Sequence, residues 1–129
     1  MVRKKILIVE DELDVAAYLA TLFQDNGYDT AIAYNGIQGF ETARTAKPDL
    51  ITLDVTMPLR SGVRTYEMYK RDPELSDIPI IIITAVDETQ NDFLSKIQGS
   101  LVPQGFMSKP IDTVRLLKLT ASLLSSREQ

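Results

Sequence analysis

The sequence IIIIT at residues 80–84 places four apolar side chains in a row. A second run, ILIV at residues 6–9, is also apolar at every position. Successive side chains of a β-strand point to opposite faces of the sheet, so a strand without polar alternation is buried on both faces. Strands of this kind occur in parallel sheets that helices cover on both sides. The two runs therefore predict a parallel sheet between two layers of helices.

Short β-rich runs alternate along the chain with longer segments of helical periodicity. We predict strands over residues 5–9, 28–33, 49–53 and 80–84, and a short edge strand at Phe106 and Met107. We predict a first helix around residues 15–23, capped by Gly27, and further helices over residues 36–46, 63–71, 88–98 and 112–126. This alternation predicts one α/β domain over residues 1–129, a doubly wound, five-stranded parallel sheet with helices on both faces.

The composition excludes several classes of function. Basic residues number 14 and acidic residues 18, a net charge of −4, which argues against direct binding of nucleic acid or an anionic membrane. The chain has no Cys and no His, so disulfides, thiolate catalysis and metal sites built on those residues are excluded. A bound metal must take oxygen ligands, as Mg²⁺, Ca²⁺ and Mn²⁺ do.

Polar residues cluster at the ends of the predicted strands. Glu10 and Asp11 follow the first strand, Asp54 follows the third, and Thr84 and Lys109 lie at the ends of the fourth and fifth. Ligands of open α/β sheets bind outside the carboxyl ends of the strands, so we expect these side chains to converge. Three adjacent carboxylates repel one another and require a cation, for which Mg²⁺ is the best fit. A carboxylate beside Mg²⁺, an ammonium and a hydroxyl suits phosphoryl transfer, with Asp54 as the nucleophile.

Several motifs follow one another in order over nearly the whole chain. They are ILIVEDE at residues 6–12, LDVTMP at 53–58 with Gly62 after it, DP at 72–73, IPIIIITA at 78–85 and KP at 109–110. Each motif is weak by itself, but together they are highly specific, and the chain resembles a response-regulator receiver domain of two-component signalling. The resemblance implies the flavodoxin-like receiver fold and a phosphoacceptor signalling domain that catalyses only its own phosphorylation and dephosphorylation.

The resemblance implies roles for the acidic residues. Asp54 is expected to accept the phosphoryl group from a sensor histidine kinase or a phosphotransfer protein. Glu10 and Asp11 are expected to form the acidic pair for Mg²⁺, joined by Asp54 and by the backbone carbonyl of Thr56. Phosphorylation is then expected to switch protein–protein contacts in a phosphorelay.

Further roles are implied at the ends of the last two strands. Thr84 and Lys109 are each expected to bind an oxygen of the phosphoryl group. Thr84 and Phe106 are expected to form the switch that responds to phosphorylation. A cis peptide before Pro110 is expected to aim Lys109 inward.

The chain departs from the family pattern near its fourth and fifth strands. Residues 99–105 stand where the family has a small-residue segment, and the stretch between Thr84 and Lys109 is longer than the family norm. Thr56 and Val86 lie where the family tunes the lifetime of its acyl phosphate. Neither is an acid or amide that suits a hydrolytic water, so we expect a long-lived phosphoryl form.

The last predicted helix carries two apolar stripes on roughly opposite sides. One consists of Leu116, Leu119 and Leu123, the other of Val114, Leu117, Ala121 and Leu124. One stripe must face the sheet, and the other leaves an exposed apolar patch of the kind that marks a partner site. We expect the second stripe to form a homodimer or partner surface with the predicted helix over 88–98 and the fifth strand.

Other functions are less consistent with the sequence. A pseudo-receiver that only binds a partner is the main alternative, but the set of Asp54, Thr84 and Lys109 is intact. An aspartyl phosphatase or mutase needs a second acid two residues after the nucleophile, where Thr56 stands. A flavin-binding domain would not place three acids after its first strand. Because the apolar run at 6–9 is too short for a membrane span and no signal-peptide cleavage site follows, we expect a cytoplasmic protein.

Overall fold

The computed structural model describes residues 3–56, 62–85, 93–95 and 102–127. Its strands are β1 (Lys5–Val9), β2 (Asp29–Ala33), β3 (Leu50–Asp54), β4 (Ile80–Thr84) and β5 (Gly105–Ser108). Its helices are α1 (Leu13–Asp25), α2 (Gly36–Ala46), α3 (Gly62–Arg71) and α4 (Thr113–Arg127). Apart from residues 93–95, which are helical, the helix predicted over 88–98 lies outside the described residues. None of the helices in these ranges is long and apolar enough to cross a membrane.

The strands form one parallel sheet of five strands in the order β2-β1-β3-β4-β5. This confirms the predicted fold class. The carboxyl ends of the strands lie at the same level, because Val9 pairs with both Ala33 and Leu53, and Thr84 pairs with Ser108. Loops that leave β1, β3, β4 and β5 therefore emerge together at one edge of the sheet.

The sheet divides the core into two layers. Alternate side chains of each central strand point to opposite faces, so Leu7 and Ile82 face α2 and α3, while Ile8 and Ile81 face α1 and α4. We call these the α2–α3 layer and the α1–α4 layer. Because both faces are covered, the four isoleucines of β4 are all buried. The sequence of β4 lacks polar alternation because neither face of the strand contacts solvent.

The edge strand β5 packs closely under α4 at Gly105. A Cβ atom at this position would lie 2.8 Å from Leu119 Cδ2 and 3.0 Å from Ile81 Cγ1. Glycine therefore permits the close approach of the strand to the helix. The strand is longer than the two residues predicted, because Gly105 and Ser108 also join the ladder with β4.

The structure corrects the assignment of Leu124 to an exposed stripe of the last helix. Leu124 is 5% exposed and lies in the α1–α4 layer with Leu116. Leu117, Leu119 and Leu123 pack against the same layer. At about 100° per residue these leucines share one apolar face about 160° wide, which the sequence interpretation divided into two stripes. Val114 and Ala121 lie outside this face and are exposed.

Candidate functional site

Four strands deliver polar side chains to the carboxyl edge of the sheet. Asp54 is the last residue of β3, one residue beyond the predicted end of that strand, and Glu10 follows β1 directly. Thr84 ends β4, and the Lys109 backbone N–H donates to its carbonyl over 2.9 Å. The edge strand β5 thereby brings Lys109 over the end of the sheet. The predicted convergence is confirmed for Glu10, Asp54 and Lys109 by their direct contacts.

Both oxygens of the Asp54 carboxylate have partners. Lys109 Nζ donates to Oδ2 over 2.8 Å, and Thr56 donates to Oδ1 from its backbone N–H over 2.8 Å and from its hydroxyl over 2.5 Å. Burial raises the pKa of Asp54, but contacts with Glu10, Lys109 and Thr56 outweigh burial and hold the pKa below its ordinary value. Asp54 is therefore a buried carboxylate that keeps its negative charge.

Glu10 is as deeply buried as Asp54 but less well partnered. Its Oε2 accepts a hydrogen bond of 3.0 Å from the Glu12 backbone N–H. Its buried Oε1 accepts none from the described part of the chain and lies 3.6 Å from Lys109 Nζ. Burial, followed by the contact with Asp54, raises the pKa of Glu10 to about 8. A carboxyl group in these surroundings requires either a proton or a cation.

The carboxylates suit a hard divalent cation. Oxygens of Glu10, Asp11 and Glu12 lie within 4.8 Å of one another, and Asp11 and Glu12 are exposed to solvent. Glu10 Oε1 accepts no hydrogen bond from the described residues and lies beside Lys109, so it is available as a ligand oxygen. This oxygen-only donor set fits Mg²⁺, which keeps several waters and needs few carboxylates.

Lys109 is held by three acids. Its Nζ lies 2.8 Å from Asp54 Oδ2 and 3.6 Å from both Glu10 Oε1 and Glu12 Oε1. Burial lowers the pKa of Lys109, but these carboxylates outweigh burial and raise it above its ordinary value. The peptide bond between Lys109 and Pro110 is cis, as the family resemblance implied.

The two proposed switch residues are both buried. The Thr84 hydroxyl donates to the Ala85 carbonyl over 3.3 Å. Phe106 is in the α2–α3 layer, where its ring centroid lies 5.9 Å from that of Phe93, and Phe93 contacts Tyr66 edge-on. Phe106 thus connects β5 to α3 through Phe93. Val86, which was predicted to flank the site, lies outside the described residues.

Two features of the site were missed by sequence reasoning. Thr56 was expected to contribute its carbonyl, yet its N–H and hydroxyl also hold Asp54. An Asp with a Thr two residues later often forms this local turn, so the spacing contained the signal. Glu12 was noted as an acid but not paired with Lys109, because only the folded chain brings these two loops together.

Comparisons with known proteins give the family to which this chain is similar. Residues 6–121 match the family model described as the response regulator receiver domain. The protein PilH of Pseudomonas aeruginosa is 32% identical, and the alignment covers 94% of this chain and 98% of PilH. The polar-differentiation response regulator DivK of Brucella anthropi is 34% identical, with coverage of 94% and 96%. The crystal structure of the signal receiver domain of a signal transduction histidine kinase from Syntrophus aciditrophicus aligns with a TM-score of 0.83 and 31% identity, covering 95% of this chain and 91% of that one.

Proposed function

This chain belongs to the response-regulator receiver domain family, and we propose that it is a phosphorylation-controlled switch whose phosphoryl acceptor is Asp54. Receiver domains interact with histidine kinases or phosphotransfer proteins. We propose that such a protein supplies the phosphoryl group, since this chain has no His of its own. The contact between Asp54 Oδ2 and Lys109 Nζ at 2.8 Å is the observation that carries the proposal.

The reaction needs a charged nucleophile in a buried site. A carboxylate oxygen of Asp54 attacks the phosphorus of a phosphohistidine, the P–O bond forms, and the P–N bond to the imidazole breaks. The imidazole nitrogen takes up a proton from solvent as the P–N bond breaks, so neutral imidazole is the leaving group. The lowered pKa of Asp54 keeps the nucleophile ionised, which favours this step.

Lys109 supplies positive charge that is already in place. Its ammonium contacts the oxygen of Asp54 before the reaction and can pair with a phosphoryl oxygen afterwards without crossing the site. Mg²⁺, when bound, would neutralise phosphoryl oxygens, and we propose that Glu10, Asp11, Asp54 and the Thr56 carbonyl hold it. Thr56 orients Asp54 through two hydrogen bonds, which supports a fixed direction of attack.

We propose that the phosphoryl group is read out by Thr84 and Phe106. Thr84 ends the strand next to β3, where its hydroxyl would donate to a phosphoryl oxygen. Phe106 is one residue beyond Gly105 on the neighbouring strand and packs in the same buried layer as Ile82. Movement of Thr84 toward the phosphoryl group would then reach Phe106 through the ladder that joins β4 to β5.

Several consequences stay predictions. With Thr56 holding the carboxylate, and no acid or amide at that position, we propose a long-lived phosphoryl form. A half-life of seconds would contradict this proposal. A homodimer through the exposed Val114 and Ala121 of α4 together with β5 is also proposed; most of the helix predicted over 88–98, the third part of that surface, lies outside the described residues. Sedimentation that finds a monomer both before and after phosphorylation would exclude the dimer. The cytoplasmic location likewise stays a prediction.

Intact-mass analysis tests the acceptor. The protein is incubated with acetyl phosphate with and without Mg²⁺, alongside Asp54→Asn and the surface control Asp14→Asn. We expect one Mg²⁺-dependent phosphoryl adduct on the wild type and on Asp14→Asn, and none on Asp54→Asn. No adduct on folded wild-type protein would instead favour a pseudo-receiver that acts only by binding a partner.

A further inference from the structure

The three carboxyl groups around Lys109 differ in their access to solvent. The side chains of Glu10 and Asp54 are each 1% exposed, whereas the Glu12 side chain is 64% exposed. The Lys109 side chain itself is 24% exposed. Glu12 therefore lies on the solvent side of the ammonium, while Glu10 and Asp54 lie on its protein side.

The backbone holds Glu12 in this place. Its N–H donates to Glu10 Oε2 over 3.0 Å, and the residue directly precedes α1. The Glu12 side chain makes no capping hydrogen bond to the helix, and its Oε1 lies 3.6 Å from Lys109 Nζ. A phosphoryl donor that approaches Asp54 from solvent brings its phosphoryl oxygens to the Lys109 ammonium. The Glu12 carboxylate already lies next to that ammonium.

We propose that Glu12 is a specificity-determining residue that makes the rate of Asp54 phosphorylation depend on the net charge of the phosphoryl donor. The inference rests on the proposed function, because it concerns the same reaction. The Glu12 carboxylate repels a donor in proportion to the donor's negative charge, and it competes with the phosphoryl oxygens for Lys109. A strongly anionic small donor is then disfavoured relative to a less anionic one, such as a phosphoryl group on an imidazole.

Two small donors separate charge from other effects. Near neutral pH, acetyl phosphate is more negative than phosphoramidate by about one unit of charge. For charges several ångströms apart in water, one unit of donor charge corresponds to a rate effect of about twofold to threefold at low salt, and high salt removes most of it. The ratio of the two rates isolates this effect, since changes in folding or Mg²⁺ affinity alter both rates together.

The test measures phosphorylation rates by intact mass with each donor at saturating Mg²⁺ and low salt. The proteins are wild type, Glu12→Gln, Glu12→Lys and the matched control Asp14→Asn, an exposed acid two residues away. We expect the ratio of the acetyl phosphate rate to the phosphoramidate rate to rise about twofold to threefold in Glu12→Gln and further in Glu12→Lys. The ratio should stay at the wild-type value in Asp14→Asn, and the increase should shrink in high salt.

Three results would overturn the proposal. An unchanged ratio in both Glu12 variants would show that donor charge is not sensed at this position. An equal rise in Asp14→Asn would assign the effect to overall charge and not to the contact with Lys109. If the wild type accepts no phosphoryl group from either donor, the proposed function fails together with this inference. If the wild type is labelled but the Glu12 variants keep the wild-type ratio, only this inference fails.

Discussion

Glu10 and Asp54 are equally buried, but their surroundings move their pKa values in opposite directions. Asp54 has partners on both oxygens, and these outweigh its desolvation. Glu10 has one partnered oxygen and one without a hydrogen bond, so desolvation dominates. The ionised Asp54 and Glu10, which needs a proton or a cation, therefore lie side by side.

The raised pKa of Glu10 predicts a pH dependence of stability in the presence of a chelator. The folded pKa of about 8 lies above the ordinary value of 4.5, so the contribution of this residue to stability is complete below about 4.5 and is lost as the pH rises toward 8. Denaturant unfolding in a chelator should give a free energy lower by about 1–3 kcal/mol at pH 8.5 than at pH 5.

Glu10→Gln provides the test of this assignment. The amide cannot ionise, so most of the slope between pH 5 and pH 8.5 should disappear in that variant. Glu41→Gln, at an exposed position of α2, should keep the wild-type slope. A slope that survives in Glu10→Gln would show that another group titrates in this range.

At the scale of the elements, α4 shows how tertiary packing decides what a helix face does. Its buried face contains Thr120 between Leu116 and Leu124, although the sequence pattern suggested only leucines there. The Thr120 hydroxyl is buried and has no hydrogen-bond partner among the residues that the structure describes. Thr52 of β3 has the same property, and it pairs in register with Ile8 and Ile81 of the same α1–α4 layer.

Thr120→Val should stabilise the protein. Valine has nearly the same shape and helix propensity as threonine but removes the unpartnered hydroxyl, so the free energy of unfolding should rise by about 1 kcal/mol. Thr120→Ala removes the same hydroxyl and also leaves a cavity, and it should not reproduce the gain. Urea unfolding gives the free energy of unfolding of both variants. A lower free energy for Thr120→Val than for the wild type would contradict the prediction and would mean that the hydroxyl has a partner, such as a buried water.

Gly105→Ala should loosen the contact between β5 and α4. The new Cβ would lie 2.8 Å from Leu119 Cδ2 and 3.0 Å from Ile81 Cγ1, so we expect a loss of about 1–3 kcal/mol of stability. Leu119→Val shortens the side chain that the new methyl group meets. The double variant should therefore lose less than the sum of the two single variants in a thermal unfolding cycle. Strict additivity would show that the methyl group of Gly105→Ala does not act through Leu119.

At the scale of the whole molecule, the parallel sheet collects like charges at one edge. Glu10, Asp11 and Glu12 lie together at this edge, where Lys109 from the loop after β5 contacts Glu10 and Glu12. The unfolded chain does not bring Asp54 to Glu10 and Asp11, so a cation that all three hold should bind the folded domain more tightly and stabilise it.

We accordingly expect Mg²⁺ to raise the unfolding temperature. At a concentration 100 times its dissociation constant, Mg²⁺ should add about 2.7 kcal/mol. Asp11→Asn should lose most of this gain, yet unfold at a slightly higher temperature than the wild type in chelator, because it relieves repulsion within the cluster. Asp14→Asn should retain the full Mg²⁺ response. If Asp11→Asn responds to Mg²⁺ as the wild type does, the cluster does not bind the ion.

The sequence by itself predicted a parallel, doubly wound sheet, and it placed polar residues at the carboxyl ends of the strands. The sheet could be predicted from local sequence because successive side chains of a strand point to opposite faces. An apolar run such as 6–9 or 80–84 must therefore be buried on both faces. The motifs and the family resemblance then predicted roles for Asp54 and Lys109 before the contact between them was known.

Only the tertiary structure decided which groups meet and which faces are buried. Leu124 lies in the core because the α1–α4 layer covers a wide arc of α4. The width of the buried arc cannot be predicted from the helical pattern of the sequence, because it depends on the neighbouring elements. Glu12 faces Lys109 because the parallel register brings two loops together that are far apart in sequence. Burial and charge pairing between distant segments depend on the assembled sheet, and they set the electrostatics of the site.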